Sequence, residues 1–166
     1  LGDVYKRQIL SVKEIKSFMS HLFMKETLDS WLVSEVTITT HNTFQVDGRL
    51  HKDFYGETIP DELASCEYSP WSLLRPLCFG IIKGSRTPLY MKLVLQLNSS
   101  MVENILSESA APFVPEDING LFINIRYEDG SLSITTGSSL RTFSMDKTLD
   151  EAFENYVRRL FFQFCE

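Results

Sequence analysis

Residues Leu89 to Leu97 read L-Y-M-K-L-V-L-Q-L, and no other stretch restricts the fold as much. The period-two alternation sets Leu89, Met91, Leu93, Leu95 and Leu97 on one face of a strand and Tyr90, Lys92, Val94 and Gln96 on the other. Such a strand belongs to a sheet with one buried and one partly wet face. The rest of the chain must therefore supply sheet neighbours and a layer over the apolar side.

Just upstream, Trp71, Leu74, Cys78 and Ile81 recur at helical spacing, with Ser69 as N-cap, Pro70 at the first helical position and Gly84 at the C-cap. Pro76 interrupts the pattern, because a proline inside a helix removes a hydrogen bond and clashes with the preceding turn, at about 3 kcal/mol. The segment reads as two short helices with Pro76 opening the second. The alternative is a hairpin in which Leu77 to Lys83 is a strand paired to the Leu89 segment.

Three further helices are signalled. Ser11 with Glu14 forms a capping box, Leu10 and Ile15 a hydrophobic staple, and Ile15, Phe18, Met19, Leu22 and Phe23 one stripe. Ser100 with Glu103 caps a short helix carrying Val102, Ile105 and Leu106. Thr148 with Glu151 caps a last one carrying Phe153, Tyr156, Val157, Leu160, Phe161 and Phe164.

Two β-meanders are expected. The first runs through Trp31–Thr40, a turn at His41-Asn42, Thr43–Val46, a type I′ turn at Asp47-Gly48 and Arg49–Tyr55. The second runs through Leu121–Tyr127, a turn at Asp129-Gly130, Leu132–Thr136, a turn at Gly137-Ser138-Ser139 and Leu140–Met145. Gly56–Tyr68 reads as an acidic surface loop with one helical turn at Pro60–Ala64, and Ala110–Asn119, with Pro112 and Pro115, as an exposed connection. The expected fold class is α+β: an antiparallel sheet of six or seven strands in two meanders, covered by N-terminal, central and C-terminal helices.

The segment DVYKRQ, Asp3 to Gln8, resembles the translation of a transposase end sequence used as a sequencing adaptor. Residues 1–8 are accordingly read as non-native, from a metagenomic fragment, and residues 9–166 as one globular domain. A net charge of −6 opposes non-specific attraction to nucleic acid or an anionic membrane. Three cysteines without a C-x-x-C pair argue for reduced thiols and against a disulfide framework or zinc ribbon. With no membrane-length apolar run and no signal-peptide pattern, the expected location is the cytoplasm.

Chemistry-bearing groups are sparse. Arg75, Lys83 and Arg86 bracket the central turn, and Arg49 and Lys52 flank the first hairpin, so these five are the candidate site for an anionic ligand. Against this, Lys83 and Arg86 are placed to complement the negative end of a helix dipole. His41, His51 and Asp53, the last two on one side of an expected strand, are the one histidine-centred group suited to proton transfer, but two histidines on edge strands read first as solvated polar positions. No catalytic nucleophile, metal-ligand spacing or cofactor motif stands out. The run Thr135 to Ser139 suits a turn better than an anion nest, and Tyr68, Trp71, Phe54 and Tyr55 suit a core better than a stacking platform.

The motifs F-M-x-x-L (Phe18 to Leu22), T-x-x-T-F-x-x-D-G-R (Thr40 to Arg49), W-x-x-x-R-P-x-x-F-x-x-I-K-G (Trp71 to Gly84), Thr87-Pro88, N-G-L-F-I-N-I-R-Y (Asn119 to Tyr127) and the final amphipathic helix together resemble an uncharacterised bacterial family, a domain of unknown function met mainly in Clostridia. The resemblance implies an intracellular bacterial domain and no particular activity. Two function classes follow. One is a non-enzymatic ligand-binding or protein-interaction module, with an exposed apolar patch at Phe161, Phe162 and Phe164 as its mark. The other is an enzyme or sensor for an anionic small molecule using the five basic residues, with His51 and Asp53 as acid and base.

Overall fold

The computed structural model describes residues 4–165. Six strands form one antiparallel sheet in the order β1-β6-β5-β4-β2-β3, with β1 Val4–Val12, β2 Leu32–Thr39, β3 Thr43–Asp47, β4 Tyr90–Gln96, β5 Ile118–Glu128 and β6 Ser131–Leu140. Five helices join them: α1 Ile15–Met24, α2 Asp61–Ala64, α3 Trp71–Ile82, α4 Ser99–Ser109 and α5 Thr148–Phe161. The α+β class and the antiparallel sheet agree with the sequence reading.

The alternation in β4 does what it promised. Met91, Leu93 and Leu95 are fully buried, joined by Val33, Val36 and Ile38 from β2, Leu121, Ile123 and Ile125 from β5 and Leu132 and Ile134 from β6. Phe18, Trp71, Phe153 and Phe161 of the helices close over that face, and one apolar cluster runs from Leu10 to Phe164. Leu89 is the exception. It lies outside the strand, 70% exposed.

Pro76 does not divide the central helix. α3 runs unbroken from Trp71 to Ile82, so Leu77–Ile82 is helix and neither a second helix nor a strand. Tertiary anchors offset the lost hydrogen bond. The Trp71 indole N–H donates to the Leu22 carbonyl at 2.8 Å, and Arg75 donates through Nε and Nη2 to Asp29 Oδ1 and Oδ2 at 2.8 and 3.0 Å. The residue flanking the helix at its N-terminus is Pro70 rather than Ser69, and Gly84 (φ +130°) lies one residue beyond the C-cap Lys83.

Other helix starts are displaced from their sequence signals. Ser11 pairs with Ser133 in β1, and α1 begins after Glu14. There Leu10 and Val12 alternate onto the core, and the strand ladder outweighs a local capping box. The Lys13 and Glu14 N–H groups then donate to the Phe164 carbonyl at 2.8 and 3.0 Å, pinning the turn. In α4 the cap is Asn98, whose Oδ1 accepts the Met101 N–H at 2.9 Å; in α5 Asp146 Oδ1 accepts the Thr148 N–H at 2.9 Å.

Each meander loses its third strand. Gly48 makes no type I′ turn: a Cβ there would lie 1.8 Å from the Val33 carbonyl oxygen, its N–H donates to Ser34 O and its carbonyl accepts from Ser69 N–H. The chain crosses close against β2, leaving one bridge from Arg49 to Tyr68 before 3-10 turns at Lys52–Phe54 and Gly56–Thr58. Gly137-Ser138-Ser139 continue β6, because β5 offers partners as far as Ile118 opposite Leu140. β6 ends at Leu140, so Leu140–Met145 is not a strand. The His41-Asn42 turn joins β2 to β3 as expected, and Asp129-Gly130, with φ of +53° and +76°, joins β5 to β6.

The first strand was not expected at all. Residues 4–8, set aside with the adaptor-like segment, pair in register with Ser139 to Thr135 of β6.

Candidate functional site

All the helices that bury the core lie over one face of the sheet, so the opposite face carries what the alternation leaves over: Lys92, Val94 and Gln96 of β4, Phe122 and Asn124 of β5, Thr135, Gly137 and Ser139 of β6. At one end of this face is a cleft of about 920 Å³. The end of β4 supplies Gln96, the start of β5 Asn119 and Gly120, and the end of β6 Ser139 and, just beyond, Arg141. The first turn of α4 and the loop 65–68 complete the walls.

One irregularity of the sheet lies beside this cleft, joined to it through Gln96, and a second lies in it. The β2–β4 register slips between Val33 and Glu35, and the β5–β6 register between Ile118 and Gly120. A bulge bends a strand and re-aims the side chain it contains. Ser34, in the first, accepts from Gln96 Nε2 at 3.1 Å; Asn119, in the second, donates from Nδ2 to Ser139 Oγ at 3.2 Å. At Gly120 the Phe122 ring and Gln96 Oε1 close in: an added Cβ would sit 2.6 Å from the ring and 3.3 Å from the oxygen, so both side chains would have to shift.

A smaller hollow of about 180 Å³ lies farther along the face and shares Phe122 with the cleft. Lys92 and Glu35 pair across it at 2.9 Å, and Asn124 Oδ1 lies buried in it with no hydrogen-bond partner among the described residues. A buried acceptor of this kind wants a donor from water or a ligand.

The sequence-derived basic residues fall into two groups. Arg49 Nη1 donates to Glu67 Oε1 at 2.9 Å, its Nη2 donates to the Tyr68 hydroxyl at 3.0 Å, and its guanidinium stands 5.1 Å from the Tyr68 ring centre. Lys52 Nζ donates to the Ala64 carbonyl at 2.6 Å. Arg49 therefore braces Glu67 and Tyr68 of the loop 65–68 and Lys52 the end of α2 just before it, and Glu67, by its hydrogen bond, holds the Arg49 pKa above its ordinary value. Arg75 is committed to Asp29, Lys83 is exposed at the end of α3, and Arg86 lines a separate groove beside α1. No hollow described here is lined by two of the five.

His51 and Asp53 are exposed around the 3-10 turn and not on a strand, and exposed His41 sits in the β2–β3 turn with Nδ1 3.1 Å from Thr40 Oγ1. Trp71 is fully buried and Phe54 is exposed, so no aromatic platform forms from them. Phe161 and Phe164 are buried and only Phe162 is open, so these three residues do not form the expected exposed apolar patch. Among the described residues no group of three histidine, cysteine or acidic side chains could hold a metal ion, and no helix is long and apolar enough to cross a membrane.

The cleft was missed because its members are amides and hydroxyls scattered over four elements. Only the even positions of the Leu89 strand, which put Gln96 on the wet face, pointed towards it. Its neutral donors and acceptors, with Glu67, Glu103 and Arg141 among the lining, can hold a polar molecule by several hydrogen bonds.

Fold and cleft define a two-layer α+β protein, helices over one face of an antiparallel sheet and a hydrogen-bonding hollow at the end of the other. The chain belongs to the family described as Family of unknown function (DUF5721), which matches residues 21–164. No curated protein and no solved structure matches it.

Proposed function

We propose that the protein is a non-enzymatic binding domain for a small polar molecule held in the cleft at the end of β4, β5 and β6. The observation that carries this reading is the sheet bulge in the cleft wall that places the amide–hydroxyl pair Asn119–Ser139, with Gln96, held by Ser34 of a second bulge, lining the same cleft. Arg49 serves as a positioning residue that holds the 65–68 wall, and Lys52 as one that holds the end of α2 just before it. The reading of these two, with Arg75, Lys83 and Arg86, as one anionic site has less support, since Arg49, Lys52 and Arg75 are engaged within the fold. A bacterial cytoplasm suits the three free cysteines.

The test is a thermal-shift series with adenosine, AMP, glucose 6-phosphate and succinate at millimolar concentration. A compound present at ten times its Kd stabilises by about 1.4 kcal/mol, or about 3–6 °C for a domain of this size. The expected result is such a shift for at least one compound, reduced in Asn119→Ala and Arg141→Ala. No shift with any of the four, or a shift that both variants keep, contradicts the reading.

A further inference from the structure

A second hollow, away from the cleft, has the opposite chemistry. Between α1 and the C-terminal half of α3, with the loop 84–88 as part of its wall, runs a groove of about 460 Å³. Ile15, Met19 and Phe23 stand at successive four-residue steps along α1, Phe79 and Ile82 face them from α3, and Tyr127 of β5 lines it as well. Met24, also in the lining, is 62% exposed. Two methionines in an otherwise branched and aromatic wall give an adaptable apolar surface.

The charge is as selective as the apolar lining. Lys16 and Arg86 are the charged residues of this groove, and no acidic side chain lines it, on a chain whose net charge is −6. Both are exposed, and neither forms an ion pair with another described residue. Lys25 and Lys83, each next in sequence to a lining residue, are exposed too, and Ser85 and Thr87 belong to the lining. An apolar trough with exposed cations at its rim, on an acidic protein, is complementary to a molecule with an apolar tail and an anionic head.

We infer that the groove between α1 and α3 binds a free single-chain carboxylate amphiphile, its alkyl chain along Met19, Phe23 and Ile82 and its carboxylate between Lys16 and Arg86. This site is independent of the polar cleft and stands or falls separately. A carboxylate gains a charge-assisted bond that an alcohol gains less of and an ammonium not at all.

The experiment is calorimetric titration of the whole chain with sodium decanoate, below its micelle concentration, against decylamine and butyrate. Parallel flotation assays use phosphatidylglycerol vesicles. Decanoate is expected to bind at least about tenfold more tightly than either comparison compound, with no flotation. The double variant Lys16→Glu/Arg86→Glu is expected to weaken decanoate about tenfold or more while leaving the thermal midpoint within about 2 °C, because both side chains are exposed. Asn119→Ala is expected to leave decanoate binding unchanged. Equal binding of decanoate and decylamine, indifference to the charge reversal, sensitivity to Asn119→Ala, or binding to vesicles without binding to free decanoate each overturns the inference.

Discussion

Arg75 looked from sequence like a ligand-binding cation and sits in the structure as a brace, a difference that can be measured. Its Nε and Nη2 donate to the two oxygens of Asp29 at 2.8 and 3.0 Å, and the two side chains are only 19% and 20% exposed. The pair ties α3 to the turn after α1, and the Asp29 hydrogen bond holds the Arg75 pKa above its ordinary value. A fork of this geometry, mostly removed from water, falls between the ~0–1 kcal/mol of exposed pairs and the ~3–5 kcal/mol lost on breaking fully buried ones. Asp29→Ala strands the guanidinium with only the Phe23 carbonyl, 3.4 Å from Nη1, and is expected to cost about 2–3 kcal/mol. Arg75→Met keeps the apolar stem and is expected to cost about 1–2 kcal/mol. In a double-mutant cycle from urea unfolding, the coupling is expected at about 1.5–2 kcal/mol, and Asp29→Ala alone lowers the melting temperature by about 4–12 °C. A coupling below about 0.5 kcal/mol would refute the bracing role and return Arg75 to the pool of free cations.

Two further predictions concern stability. Gly48→Ala must move the Val33 carbonyl and is expected to cost more than about 2 kcal/mol, whereas Gly80→Ala, mid-helix with nothing near the added methyl, is expected to stabilise by about 0.5–1 kcal/mol; equal effects in urea melts would contradict the close crossing at Gly48. Burial pushes the Cys78 thiol up from 9.0 to about 11, so the folded state favours its protonated form and stability falls as pH rises from about 9 towards 11. Cys78→Ala is expected to flatten that alkaline slope, and Cys78 of the native protein to react with a thiol reagent at pH 8 only after denaturation; prompt labelling of Cys78 would show that the site is open.

How far the fold could be read from residues depended on which signal was global and which was local. The alternation in β4 and the stripe in α5 report burial against the whole sheet, and both appear where the sequence put them. Capping boxes and turn dipeptides are local, and tertiary contacts overrode several: Ser11 went to β1, Asp47-Gly48 to a close crossing over β2, and Gly137-Ser138-Ser139 to the interior of β6. Asp129-Gly130 kept its turn because both flanking strands alternate in step. Pro76 was misjudged for the converse reason, since Trp71 and Arg75 anchor the helix on its buried side.

The cleft was less legible than the fold. Gln96, Asn119 and Ser139 are far apart in sequence and carry no charge; they meet only through the β4–β5–β6 order and the bulge at Asn119. Conversely, Arg49 and Lys52 were conspicuous as charges, yet their partners Ala64, at the end of α2, and Glu67 and Tyr68, on the loop after it, lie on a segment whose return to Arg49 the acidic composition did not reveal.

The claim at the centre of this account is that the uncovered face of the sheet ends in a working binding site. It is tested most directly by mapping backbone amide shifts with whichever of adenosine, AMP, glucose 6-phosphate or succinate stabilises the protein most. Shifts are expected to cluster at residues 96–99, 119–122 and 139–141. Shifts confined to α1 and the loop 84–88, or none in a protein that none of the four stabilises, would contradict it.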